Sequence, residues 1–265
     1  MSDVLPDGLW EIVQPLLPPA PKTGRPRVDQ RAVLTTVLFV QASGCSWEKA
    51  DGLFGVTRAT AHRWFQTWTE AGLWPTIHRT ILDELGRRAL LDWSRATVDS
   101  QSIRAKRGGE HTGPNPTDRG KSGSKLHLLC DNQGLPLTCA VSAANVNDIE
   151  ALKPLVRGIP AVRSRRGPRR RRPAKLHGDK AYHSRAQRRW LRERGIGVRL
   201  ARPGIESSRR LGRHRYKIKR SIAWLGSYRR LNVRWERKAS TFLAMLGIAC
   251  ILICYKHLAK HADGF

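Results

Sequence analysis

The sequence is short of acid. Its 265 residues hold 21 Asp and Glu against 49 Lys and Arg, a formal charge of +28. Such an excess repels itself in a compact fold and calls for a polyanionic partner, nucleic acid first and an anionic membrane surface second. The second choice lacks a separable basic amphipathic segment with a lipid-facing side. The cysteines, Cys45, Cys130, Cys139, Cys250 and Cys254, include no CxxC pair, which argues against a zinc ribbon. An odd, scattered set suits a reducing compartment. Cys250 and Cys254, one helical turn apart, read as small core residues; His257 and His261 share that spacing, and a metal pair is their alternative reading. The apolar run "FLAMLGIACILIC" at 242–254 is too short to span a bilayer and reads as a buried helix. No internal repeat and no signal peptide is evident, so a cytoplasmic, nucleoid-associated location is expected.

The residues that are present fall into two parts, 1–90 and 95–260. In the first, residues 5–18 read as a helix with Leu9, Ile12, Val13, Leu16 and Leu17 on one side. A rigid basic connector, "PPAPKTGRPR" at 18–27, leads to a helix over 29–43 capped by Asp29. Helices over 46–54 and 58–71, joined by a turn at 55–57, give a helix-turn-helix pattern. Ala61, Phe65 and Trp68 point inward; Arg58, His62, Arg63, Gln66 and Thr67 point outward and are of types that reach phosphates and base edges. A plain helical bundle with a solvated basic face is the competing reading.

From residue 95 the period changes from helical to alternating. Strands are expected over 95–105, 124–130 and 135–143, the last two joined at "DNQG", with a Gly-rich loop over 106–123. A helix over 148–157 follows, then the run "VRSRRGPRRRRP" at 162–173, too charged to pack. Its Arg165, Arg166, Arg169 and Arg170 would grip a nucleic-acid backbone through counterion release. A short strand in 174–184, a helix over 184–195, a strand over 196–201 and a loop over 202–214 come next, and the remainder reads as helix. This order predicts an α/β fold, a mixed sheet with flanking helices, preceded by a small all-α domain.

Asp99 lies inside the first of these strands and Asp179 at the end of the fourth. A half-buried acid needs compensation, and an ion pair with an arginine would supply it for either one alone. If strands one and four are neighbours, the two carboxylates converge and call for a hard divalent cation, magnesium or manganese. Two such ions about 4 Å apart can clamp the attacking and leaving oxygens of a phosphodiester displacement.

Nearly the whole chain resembles bacterial insertion-sequence transposases of the DDE type, the insertion-sequence-five group. The stretches that carry the resemblance are "LWEIVQPLLPP…GRPR", "GCSW", "VDSQSIRAKRGGEHTGPNPTDRGKSGSKLHLL", "LHGDKAY", "GIESSRRLGRHRY", "IAWL" and "YRRLNVRWERK". The resemblance implies a ribonuclease-H-like catalytic domain whose three acids bind two magnesium ions. It implies cutting at the element's ends, joining to a target, and double-stranded DNA as partner, with a homodimer holding two ends together. Carried over by position, the first acid is Asp99 and the second Asp179. The third is missing: where the family has Glu in a stretch like "VERTIAWL", this chain has "IKRSIAWL", with Lys219 at the acid's place. His183 stands where the family usually has Asp.

Unit charges at about 4 Å and an effective dielectric near 20 interact by roughly 4 kcal/mol. A loss of that size at the transition state is on the order of a thousandfold in rate. Glu236, 17 residues on, would sit about 25 Å away along an unbroken helix and reads as structural. Glu206 on the preceding loop is the other acid that could swing in. The expectation is a transposase that binds element ends and cuts poorly. The alternatives are a catalytically inactive, repressor-like DNA-binding remnant and a basic RNA-binding protein.

Overall fold

A computed structural model describes residues 4–18, 28–205 and 208–261, with side chains in the last stretch from 216 onward. The connector over 19–27 and Glu206 lie outside the described residues.

The N-terminal part contains α1 (Asp7–Val13), α2 (Gln30–Ser43), α3 (Arg58–Glu70) and α4 (Leu73–Arg87). The opening helix is shorter than expected: it passes at Gln14 into a single 3-10 turn that contains Pro15. Helix α2 begins where the Asp29 carboxylate accepts the N–H of Arg31 at 2.8 Å and of Ala32 at 3.2 Å. It ends at Gly44, whose φ of 70° and contact with Arg229 leave no room for a Cβ. The expected helix over 46–54 is only a 3-10 turn, Glu48–Ala50. Gly52 and Gly55 adopt left-handed φ angles of 71° and 80°, and the Asp51 carboxylate turns to accept the N–H of Arg58 at 2.6 Å. Helix α3 therefore packs on α2, α4 and the C-terminal helix rather than on a helix over 46–54. Helix α4 was not singled out in the sequence; Leu73, Ile77, Ile81 and Leu85 form its buried stripe.

The second part is a mixed seven-stranded sheet. Its strands are β1 (Ala96–Ala105), β2 (Gly113–Pro114), β3 (Ser122–Asp131), β4 (Pro136–Ala143), β5 (Lys175–Gly178), β6 (Gly197–Leu200) and β7 (Val233–Arg234). The long strands run β4-β3-β1-β5-β6; β4, β3 and β1 are antiparallel, whereas β1, β5 and β6 are parallel. This is the strand order of a ribonuclease-H-like sheet. Helix α5 (Asp148–Gly158) packs on β3 and β4, and α6 (Arg185–Glu193) on β6. Helix α7 (Ser208–Gly226) lies against β1, β3 and β5. It starts inside the stretch read as a loop over 202–214, a correction of several residues. Residues 233–234, read as helix, instead form a short strand that pairs in parallel with Arg104 and Ala105 of β1.

Helix α8 (Ala239–Lys260) is long and apolar enough by length and composition to cross a membrane, but 72% of its most apolar window is buried. It packs on β4, α4, α2 and α3, the expected buried helix lengthened at both ends. One apolar core runs from Leu5 through Trp68, Leu82, Val98 and Leu128 to Cys254.

Candidate functional site

The parallel pairing of β1 and β5 sets the geometry. Ala96 lies opposite Leu176 and Thr97 opposite His177. The pairing ends there, two residues short of Asp99 in β1 and of Asp179 just past β5, so both acids lie near the same end of this strand pair. Asp179 follows the last residue of β5 in extended backbone, φ −78° and ψ −171°, at the start of a 3-10 turn. Gly178 is closely packed: a Cβ at that position would stand 2.8 Å from the Leu200 side chain and 3.0 Å from that of Val98.

Both acids are half-buried. The Asp99 carboxylate accepts the N–H of Ser100 at 3.0 Å, and that of Asp179 accepts the N–H of Ala181 at 2.9 Å. Tyr182 is fully buried beside them. Burial first, then the charges of Asp148, Asp99 and Asp179, raises its hydroxyl far above the ordinary phenol range. Asp148 is tied to the Lys125 ammonium at 2.9 Å.

Two carboxylates side by side suit one hard divalent cation, since magnesium is commonly held by one or two carboxylates with water and substrate phosphate completing its shell. Among the described residues, no group of three or more His, Cys, Asp or Glu side chains is arranged to hold a metal ion. Two carboxylates alone could serve at most one ion, and among the described residues a second ion bridged by a third acid has no donor set.

Lys219 projects from the exposed side of α7. Its neighbours fasten the helix to the turn between β3 and β4. The Lys217 ammonium donates to Asn132 Oδ1 at 3.2 Å, the Arg220 guanidinium to the Gln133 carbonyl at 2.7 Å, and the Ser221 hydroxyl to the Gly134 carbonyl at 2.6 Å. Ile218 and Leu225 fill the buried stripe. Glu236 is engaged elsewhere: its Oε1 accepts from Arg230 Nε at 2.7 Å, and both side chains are 8% exposed. Arg234, fully buried, donates to Ser124 Oγ at 2.7 Å and to the carbonyls of Glu236, His111 and Arg237, and stacks on Phe242. "YRRLNVRWERK" thus forms a brace that fixes the end of β1 to the start of α8.

The basic residues named from the sequence separate into distinct environments. Arg58 and Arg63 are exposed on α3, while His62 and Gln66 are half-buried. The Trp47 ring stands edge-on to His62, with centroids 5.1 Å apart. Burial, then the Arg230 charge, lowers the His62 pKa and favours the neutral imidazole. Arg165 and Arg166 are exposed at a bend. Arg169 instead pairs with Asp83 at 2.9 Å, and Arg170 lies over the Trp93 ring at 6.0 Å.

A cationic feature on α6 was missed. Arg185, Arg188, Arg189 and Arg192, with Arg202 and His183, line a cleft of about 590 Å³. It begins four residues after Asp179, and Ser184 caps α6 by accepting the N–H of Gln187 at 3.0 Å. The signal was present as arginines at helical spacing in "RAQRRWLRE", overshadowed by the denser run at 162–173.

Comparison with known proteins identifies a family for the chain. A family model described as the transposase DDE domain matches residues 94–254, and one described as "Putative transposase of IS4/5 family" matches residues 5–78. The chain belongs to the DDE-domain transposases. It is 40% identical over 173 residues to a Burkholderia cepacia protein named "Putative transposase for insertion sequence element IS402", covering 65% of this chain and 80% of that one. An uncharacterized 16.2 kDa protein of the IS402 element, from the same organism, is 38% identical over 120 residues, 43% of this chain and 81% of its own. Among solved structures, the Mos1 mariner paired-end complex with Mn covers 93% of this chain and 83% of that chain at 14% identity, with a TM-score of 0.32. The Mos1 paired-end complex with the left transposon end covers 92% and 82% at 12% identity, TM-score 0.31.

Proposed function

We propose that this transposase binds the terminal inverted repeats of an insertion sequence and carries out divalent-metal-dependent strand cleavage and transfer, slowed by Lys219. The observation that supports the reading is the parallel pairing of β1 and β5, near whose shared end Asp99 and Asp179 both lie, with both charges acting on the buried Tyr182. Asp99 and Asp179 hold one magnesium ion, with manganese an acceptable substitute. When bound, that ion supplies Lewis-acid polarisation of a phosphodiester oxygen.

The chain's own residues bind and orient the substrate. Residues 1–90 form the DNA-binding domain, with Arg58, His62, Arg63 and Gln66 facing the element end, and residues 95–260 form the catalytic domain. Arg165 and Arg166 meet the backbone at a solvated bend; Arg169 and Arg170 do so only by giving up Asp83 and Trp93. The partners are the two element ends and the target duplex, a homodimer holds the ends together, and the protein works in the cytoplasm at the nucleoid. Lys219 favours a second reading, a DNA-binding remnant that represses its parent element without cutting it.

The test is magnesium-dependent cleavage of duplexes carrying the element's own inverted repeats. Lys219→Glu raises the rate, on the order of a hundred- to a thousandfold. Equal rates for the two proteins would remove the lesion from the account. Asp99→Asn abolishes residual cleavage while end binding stays within about twofold, since affinity rests on the arginines. Tight end binding with no cleavage by any variant selects the repressor reading.

A further inference from the structure

Between α3 and the segment that leads into α8 lies a recess of about 450 Å³ that the chemistry at Asp99 and Asp179 does not use. Its walls include Trp47, His62 and Gln66 on one side and Trp235, Arg237 and Arg107 on the other. The volume lies in the range of small-molecule sites.

Three features define what fits. Trp235 is 39% exposed and, with Trp224 and Tyr216, belongs to the few exposed aromatic side chains among the described residues. The Lys106 ammonium lies 5.9 Å from its ring centre. The inner wall offers neutral hydrogen-bonding groups, the His62 imidazole and the Gln66 amide, while the rim carries the exposed cations Arg107 and Arg237. A flat π-surface, a polar inner edge and a cationic mouth match the three parts of a nucleotide: base face, base edge and phosphate.

The recess is also preformed. The buried Arg230–Glu236 pair and the bond from Arg230 to the Cys45 carbonyl at 2.9 Å tie its two walls together. Gly109, at a φ of 114°, presses against the Arg237 backbone, where a Cβ would stand 2.2 Å from the carbonyl oxygen. Glu110 accepts the N–H of Ala239 at 2.9 Å and closes the same corner. Little ordering is left for a ligand to drive.

We propose that this recess takes one unpaired nucleotide of a DNA strand, its base stacked on Trp235 and its phosphate on Arg107 and Arg237. The proposal rests on the DNA-binding reading above. A half-open recess of this size admits a single base and is too small for a double helix, so it serves a strand end or a base displaced from its pair. A free nucleotide has the same chemistry and is separated from a strand nucleotide by experiment.

The experiment uses the full chain and 2-aminopurine fluorescence. One duplex carries the probe as an unpaired terminal nucleotide, a second carries it paired in the interior, and a third sample is 2-aminopurine nucleoside 5′-monophosphate alone. Stacking on Trp235 quenches the unpaired probe and leaves the paired one unchanged. Trp235→Ala and Trp235→Leu abolish the quench and lower the preference for the unpaired duplex roughly tenfold; Trp235→Phe retains most of both. The melting temperature of each variant checks folding, and Trp235→Leu, which keeps apolar bulk, keeps the result readable if the alanine variant is unstable. An undiminished quench in Trp235→Leu overturns the proposal. Trp235-dependent quenching of the monophosphate but not of the oligonucleotide overturns the strand assignment. Failure to bind either duplex, with no quenching of the monophosphate, removes the recess and the DNA-binding reading together. Duplex binding with no quench removes the recess alone.

Discussion

His78 and His127 are buried as neutral imidazoles, both with pKa values pushed down to about 4 by burial. His78 Nε2 lies 3.0 Å from the Pro136 carbonyl oxygen and His127 Nε2 lies 2.8 Å from Ser142 Oγ. For a base with a depressed folded-state pKa, the unfolded chain binds the extra proton. The stability is therefore complete above the unfolded value of 6.5 and is lost as pH falls towards about 4. Each site is worth up to about 3 kcal/mol over that window. His127→Gln, which keeps a hydrogen-bonding group of similar reach, shrinks the loss of denaturant stability between about pH 7 and about pH 4.5. An unchanged pH profile would show that His127 takes up its proton in the folded state. At this scale the sequence was most legible where charge and strand position conflict. Asp99 and Asp179 stood out because an acid in a buried alternation is costly. Arg234 did not, because one more arginine among so many carries no signal, and only the fold reveals that carbonyl oxygens surround it.

At the scale of elements, local chemistry decided the ends of helices and tertiary contact decided much else. Asp29, Thr57, Asn147 and Ser184 cap α2, α3, α5 and α6 through their side chains. The failed helix over 46–54 has the opposite cause: left-handed glycines and the Asp51 cap on Arg58 stop it. Strand β7 has two residues and pairs only with the far end of β1, a contact no local pattern reports. Helix α6 carries its arginines beside the strand end that bears Asp179, and this proximity makes a surface of them. Replacing Arg189 and Arg192 together by alanine lowers the slope of log affinity against log salt by about 1.8 for duplex DNA. A slope equal to wild type would mean that the α6 cleft lies off the DNA path. Gly178→Ala drives a methyl into Leu200 and Val98 and costs roughly 1–3 kcal/mol, read as a lowered urea midpoint with an unchanged slope.

For the whole molecule, the two parts seen in the sequence share one apolar core. Helix α8 belongs by sequence to the second part, yet packs on α2, α3 and α4 of the first. Gln41 Nε2 donates to the Met245 carbonyl at 3.0 Å within that seam. The protein is therefore expected to unfold in a single thermal transition, with calorimetric and van't Hoff enthalpies equal. Two resolved transitions would show that the helical part holds together without α8.

The sequence by itself determined the polyanion-seeking charge, the change from helical to alternating periodicity near residue 95, and the two acids and the lysine that mark the lineage. These are properties of composition, period and motif, which survive without knowledge of neighbours. The tertiary structure alone decided which residues became neighbours. It paired β5 with β1, so that Asp179 and Asp99 lie near one end of that pair, committed Glu236 to Arg230, drew Arg169 to Asp83, and turned His62 and Gln66 towards a recess shared with Trp235. Each depends on contacts between residues distant in the chain, set by strand register and by the burial of α8, and no local signal encodes them.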